Sequence, residues 1–165
     1  MAKDSSFDVV SEADAQEVDN AYQQAARELR QRYDLKDSGA TLEFSRGEGS
    51  FVVQAPSEFV CAQVIDVLNS KLARRGVDLR SVSWDDARPA AGSSVRREGR
   101  LVQGIETALA KRIAGDVRGL GLKCKVSVEG DRLRVSSPSK DALQKVIGFL
   151  RDSDYGLPLQ YVNYR

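Results

Sequence analysis

One segment of this chain occurs twice, and the repeat limits the folds open to it. Phe51-Val52-Val53-Gln54-Ala55-Pro56-Ser57, followed by Val64-Ile65 and Leu68, returns as Leu133-Arg134-Val135-Ser136-Ser137-Pro138-Ser139, followed by Val146-Ile147 and Leu150. Pro56 and Pro138, Val64 and Val146, and Leu68 and Leu150 are each 82 positions apart. A period of about eighty residues is too long for a solenoid unit and has the size of a small domain, so two copies of one module are expected.

Each copy reads as β-α-β-β-α-β. In the first, Phe7 to Ser11 reads as a strand, Ser11 and Asp14 form a capping box, and Val18, Ala21, Tyr22, Ala25, Leu29 and Tyr33 recur at helical spacing. Alternation in Leu42–Phe44 and Phe51–Ala55 around Arg46-Gly47-Glu48-Gly49-Ser50 predicts a hairpin. Those glycines join strand to strand, with no helix N-terminus behind them and no Gly-Lys-Ser/Thr, so they make a turn and not a phosphate loop. Ser57 caps a helix that closes near Arg74-Arg75-Gly76, where the arginines suit the negative end of its dipole, and Leu79 to Trp84 reads as the last strand. In the second copy the strands are Val95–Leu101, Lys123–Glu129, Arg132–Ser137 and Leu159–Tyr164. Its helices follow Ile105, Leu109, Ile113, Val117 and then Leu143, Val146, Ile147, Leu150. The fold class is therefore α+β: two tandem ferredoxin-like modules, each a four-stranded antiparallel sheet with two helices on one face and the other face open. The first spans 1–87 and the second 95–165. Residues 88–94, rich in small residues and proline, read as a linker.

Composition narrows the function by exclusion. The 165 residues contain no histidine, which removes the usual general base near neutral pH and the commonest zinc ligand. No catalytic constellation, metal site or cofactor motif is read from the chain, and it is not expected to be an enzyme. Asp85-Asp86 reads as solvated linker and not as a cation site. Cys61 and Cys124 fall on core stripes and are expected to be buried thiols. A net charge of +1 argues against a uniformly basic nucleic-acid binder, although charge can be segregated on one face. Neither a signal peptide nor a membrane span is present, so a cytoplasmic location without membrane contact is expected.

Four stretches carry a family resemblance: Ser6-Phe7-Asp8-Val9-Val10-Ser11-Glu12, Gln103-Gly104-Ile105, Lys140-Asp141-Ala142-Leu143-Gln144 and Pro158-Leu159-Gln160-Tyr161-Val162-Asn163-Tyr164. Together they resemble the YajQ family of small bacterial proteins over essentially the whole chain. The resemblance implies that the modules exchange N-terminal strands, so that residues 6–11 complete the second sheet and 95–101 the first. It also implies binding of nucleotides or nucleic acid, with cyclic dinucleotides among the ligands, and no enzymatic activity.

Strand parity then sorts the candidate contacts, because side chains alternate across a sheet. Lys123, Lys125, Arg132 and Arg134 share the outward face of the second hairpin and suit phosphate oxygens. The competing reading is a solvated face neutralised by Glu129 and, under strand exchange, by Asp8. Arg134, on the inner hairpin strand, is expected to contribute most to binding and little to stability. Arg96 and Arg100 form a supplementary cluster on the first sheet. Aromatic partners for a base are few: Trp84 and Tyr161 are candidates, with Trp84 alternatively a packing residue between the halves. Taken with the family resemblance, the function expected is binding of a nucleotide-class ligand, a nucleic acid or a cyclic dinucleotide, in a regulatory role. The alternative is a protein-interaction adaptor whose open sheets dock a partner chain.

Overall fold

The computed structural model describes residues 3–165 and contains four α-helices and two antiparallel sheets, compatible with two tandem ferredoxin-like modules. The chain divides into two compact units. One is the continuous stretch Ala13–Leu101; the other joins the chain up to Glu12 to Val102–Arg165.

In the Ala13–Leu101 unit the strands are β2 (Thr41–Ser45), β3 (Ser50–Ala55), β4 (Val82–Trp84), β5 (Arg88–Pro89) and β6 (Val95–Leu101), and the helices are α1 (Ala15–Gln31) and α2 (Glu58–Arg74). The sheet order is β2-β3-β6-β4, so β6 lies between the hairpin and β4, while β5 pairs with the end of β6. A fifth short strand thus joins the four expected. It arises because the chain after Trp84 stays on the edge of β6: the Asp85 amide donates to the Glu98 carbonyl, and Arg88 then pairs with Arg96. Residues 88–94 accordingly hold a strand and a 3-10 turn, Ala91–Ser93.

In the second unit the strands are β1 (Ser5–Val10), β7 (Lys125–Glu129), β8 (Arg132–Ser137) and β9 (Gln160–Val162), with α3 (Thr107–Arg118) and α4 (Lys140–Asp152), in the order β7-β8-β1-β9. The first strand of the chain is therefore central, pairing Phe7 with Val135 and Val9 with both Leu133 and Tyr161.

Two separate apolar clusters follow from this pairing. Val18, Phe51, Val53, Val64, Leu68 and Leu72 build the first. Phe7 and Val9 of β1 are fully buried in the second, with Ile105, Ile113, Leu133 and Val146. Fully burying a side chain of this size contributes roughly 1.5–3 kcal/mol, which fixes which face of each strand turns inward.

Several local expectations shift. Asp14 alone caps α1, accepting from the amides of Gln16 and Glu17. Ser11 is buried instead and donates its hydroxyl to the Pro158 carbonyl, so it is not part of a capping box. The stretch expected as a strand from Leu79 opens as a 3-10 turn, Leu79–Ser81, capped by Asp78. Cys61 is buried as expected, whereas Cys124 is half-buried; burial pushes both thiols above their ordinary pKa.

Candidate anion-binding surfaces

The open face of the β7-β8-β1-β9 sheet is organised around one carboxylate. Asp8 points away from the helices, opposite Arg134 across the β1–β8 ladder, yet only 2% of it is exposed. Arg134 Nε donates to its Oδ1 at 3.0 Å, Asn163 Nδ2 donates to Oδ2 at 2.8 Å, and Arg132 Nη1 reaches Oδ2 at 3.5 Å. Asn163 attains this position through a bulge. Asp8 faces Val162, but Ser6 exchanges both backbone hydrogen bonds with Arg165, leaving one extra residue on the β9 side. Asn163 has φ +56°, in the left-handed region that asparagine tolerates better than most residues.

Burial alone would push the Asp8 carboxyl up. The Asn163 and Arg134 hydrogen bonds, the Arg134 charge and the Arg132 contact outweigh it and hold the group below its usual value. Asp8 in turn raises the Arg134 guanidinium, chiefly through the same hydrogen bond.

The two arginines are fixed but not covered. Their side chains keep 33% and 34% exposure, and each has a second acidic partner: Arg132 with Glu12 at 3.6 Å, Arg134 with Glu129 at 3.4 Å. Local neutralisation by Asp8 and Glu129 is therefore present, and Arg134 is a structural partner of a buried carboxylate as well as a surface cation. The expectation that it matters little for stability is corrected on that ground. Lys125 is exposed at the start of β7, opposite Ser136; Lys123 precedes the strand and is exposed too. Both border a depression of about 380 Å³ that also touches Cys124 and Pro138.

On the Ala13–Leu101 sheet, Arg96 and Arg100 face outward around a depression of about 320 Å³ beside Ser50, Val52 and Glu98. Arg96 is paired with Glu98 at 3.2 Å. Arg100 makes no ion pair among the described residues.

The aromatic candidates stand elsewhere. Trp84 shares the inward parity of Phe51 and Gly99 and packs on that core, 5.9 Å from the Phe51 ring. It lies so close over Gly99 that a Cβ there would sit 2.7 Å from its ring. Tyr161 turns inward with Val9, edge-on to Phe7, and the Arg151 guanidinium lies 5.7 Å from its centroid. Neither ring is on an open face, so neither joins the outward cations. The inward parity of Trp84 follows from its pairing with Gly99, which the sequence alone did not reveal. Among the described residues no cluster of three or more His, Cys, Asp or Glu could hold a metal ion, and no helix is long and apolar enough to cross a membrane.

Fold and faces define a class: a two-unit α+β protein whose sheets each leave one charged face uncovered. The chain belongs to the YajQ family, whose description, nucleotide-binding protein YajQ-like, matches residues 5–165. It is 41% identical to a nucleotide-binding protein of Chloroherpeton thalassium over the full length of both chains. It is 43% identical to one of Desulfitobacterium hafniense, again over both full lengths. With one of Nocardia farcinica it shares 46% identity over 98% of this chain and 99% of the relative.

Proposed function

We propose that this protein binds a nucleotide-class ligand, a nucleic acid or a cyclic dinucleotide, without catalysis and in a regulatory role. The contact surface is the open face carrying Lys123, Lys125, Arg132 and Arg134, with Arg96 and Arg100 as a secondary cluster. Family membership supports the ligand class. The observation that carries the site is the Asp8 anchor: it holds two guanidinium groups side by side on an uncovered sheet, each with N–H donors in excess of its acidic partners. Arginines fixed before binding lose less freedom when a phosphate arrives. The pairings of β1 and β6 likewise support two ferredoxin-like modules that exchange their first strands.

The competing reading, a protein-docking face, draws on the alternation of Glu12, Glu129 and Asp131 with the arginines, a mosaic suited to a partner of mixed charge. A titration of wild type, Lys123→Gln/Lys125→Gln and the control Glu43→Ala against single-stranded RNA, single-stranded DNA and a cyclic dinucleotide at two salt concentrations separates the two. The lysines are exposed and make no ion pair among the described residues, so the double variant should stay folded. It should bind more weakly and, for a single strand, lose roughly 0.7 of log-log salt slope per phosphate contact removed. Equal binding by all three proteins would remove this face as the site and favour the docking reading.

A further inference from the structure

A groove in the Ala13–Leu101 unit lies between α1 and α2, on the helix side of the sheet and away from its open face. Its volume is about 660 Å³, within the range of small-molecule sites. The lining is polar, with four cations against two carboxylates.

Lys71 forms the floor. Its side chain is only 12% exposed, and the ammonium donates to Glu28 Oε1 at 2.9 Å. An ammonium has three N–H donors, so two remain for the groove. Arg75 reaches both oxygens of Glu17, but only at 3.5 Å. Arg27 and Arg74 stand exposed on the two walls with no ion pair or hydrogen bond among the described residues.

Cations in the last turn of a helix ordinarily serve its free carbonyls. Here the carbonyls of Lys71, Leu72 and Ala73 are taken by the backbone amides of Arg75, Gly76 and Val77. The Arg74 guanidinium is therefore not needed there. The groove lining carries four cations against two carboxylates, with Arg27 on α1 and Arg74 on α2 unpaired among the described residues, and an anion in the groove offsets that excess of positive charge. Among the described residues no aromatic ring lines the groove to stack on a base, so recognition rests on charge and on the amide donors of Gln24 and Gln31.

We infer that the α1–α2 groove is a second binding site, separate from the sheet-face contact, for a small phosphate-bearing anion carrying at least two negative charges. Arg27 and Arg74 clamp the phosphate oxygens from either side and Lys71 meets them from below.

Inorganic pyrophosphate is the probe, titrated calorimetrically into the full-length protein at constant ionic strength. Wild type should give saturable one-to-one binding. Arg27→Gln/Arg74→Gln, whose side chains are exposed and whose ligand-free melt should match wild type, should bind about ten-fold or more weakly. Lys123→Gln/Lys125→Gln should bind as wild type does, which keeps this test independent of the sheet face. Absence of saturation at millimolar pyrophosphate, equal affinity in the arginine variant, or a loss confined to the lysine variant would each overturn the proposal.

Discussion

Asp8 sits on the uncovered side of its sheet and is still 2% exposed, because Arg132, Arg134 and Asn163 close over it. A carboxylate so placed costs free energy unless its donors stay, so the three side chains act as a unit. Asp8→Asn should lower stability at neutral pH by about 2 kcal/mol, the scale of hydrogen bonds to a charged group discounted for the half-open arginines. Arg134→Ala should lower the melting temperature as well, since it leaves the carboxylate short of its closest guanidinium. The pH dependence has a definite sign. The folded Asp8 carboxyl lies below its unfolded value of 3.8, so its stabilisation is complete above that pH and is lost as pH falls through the folded value. Melts of wild type and Asp8→Asn should therefore differ by a constant amount from pH 7 down to about 5 and converge below about 4. A gap that widens on acidification would show that Asp8 is not held as an anion.

Among the elements, β6 shows what a glycine in a strand interior can mean. Gly99 has no unusual backbone angle; its constraint is the Trp84 ring lying against its Cα. Gly99→Ala should push the indole off its seat beside Phe51 and cost about 1–3 kcal/mol, the scale of overpacking, with a red-shifted tryptophan emission in the folded state. An unchanged melt and spectrum would mean that the ring is free to move. This pairing also marks a boundary of what the sequence could convey. The four helices and the two hairpins are legible because apolar residues recur at 3.6 or 2 positions, and Asp8 could be placed opposite the second hairpin's cations once strand exchange was assumed. The facing of Trp84 was not, since the turn Leu79–Ser81 interrupts the strand and resets its parity. Nor was the α1–α2 groove: Arg27, Lys71 and Arg74 lie on two helices distant in sequence, and Arg74-Arg75 reads locally as dipole compensation.

At the scale of the whole molecule, the contact boundaries at Glu12 and Leu101 differ from the compositional break at 88–94. The cause is β6, which follows that break yet lies between β3 and β4. A fragment of residues 1–90 lacks it, together with its buried Leu101, and leaves two strand edges and the core around Phe51 open. Residues 13–101 contain every strand of their own sheet. The 1–90 fragment should give no cooperative monomeric melt, and the 13–101 fragment should give one; calorimetry of the two fragments decides the matter, and the reverse result would contradict the pairing of β6.

The central position of β1 also has a consequence for the order of events on the ribosome. β1 is made first, but its neighbours β8 and β9 begin at Arg132 and Gln160. At about 5–20 residues per second, roughly eight to thirty seconds separate the appearance of Phe7 from that of its last partner strand. The Ala13–Leu101 unit can close during that interval. β1 cannot, and Phe7 and Val9 remain available to chaperones until the final strand emerges.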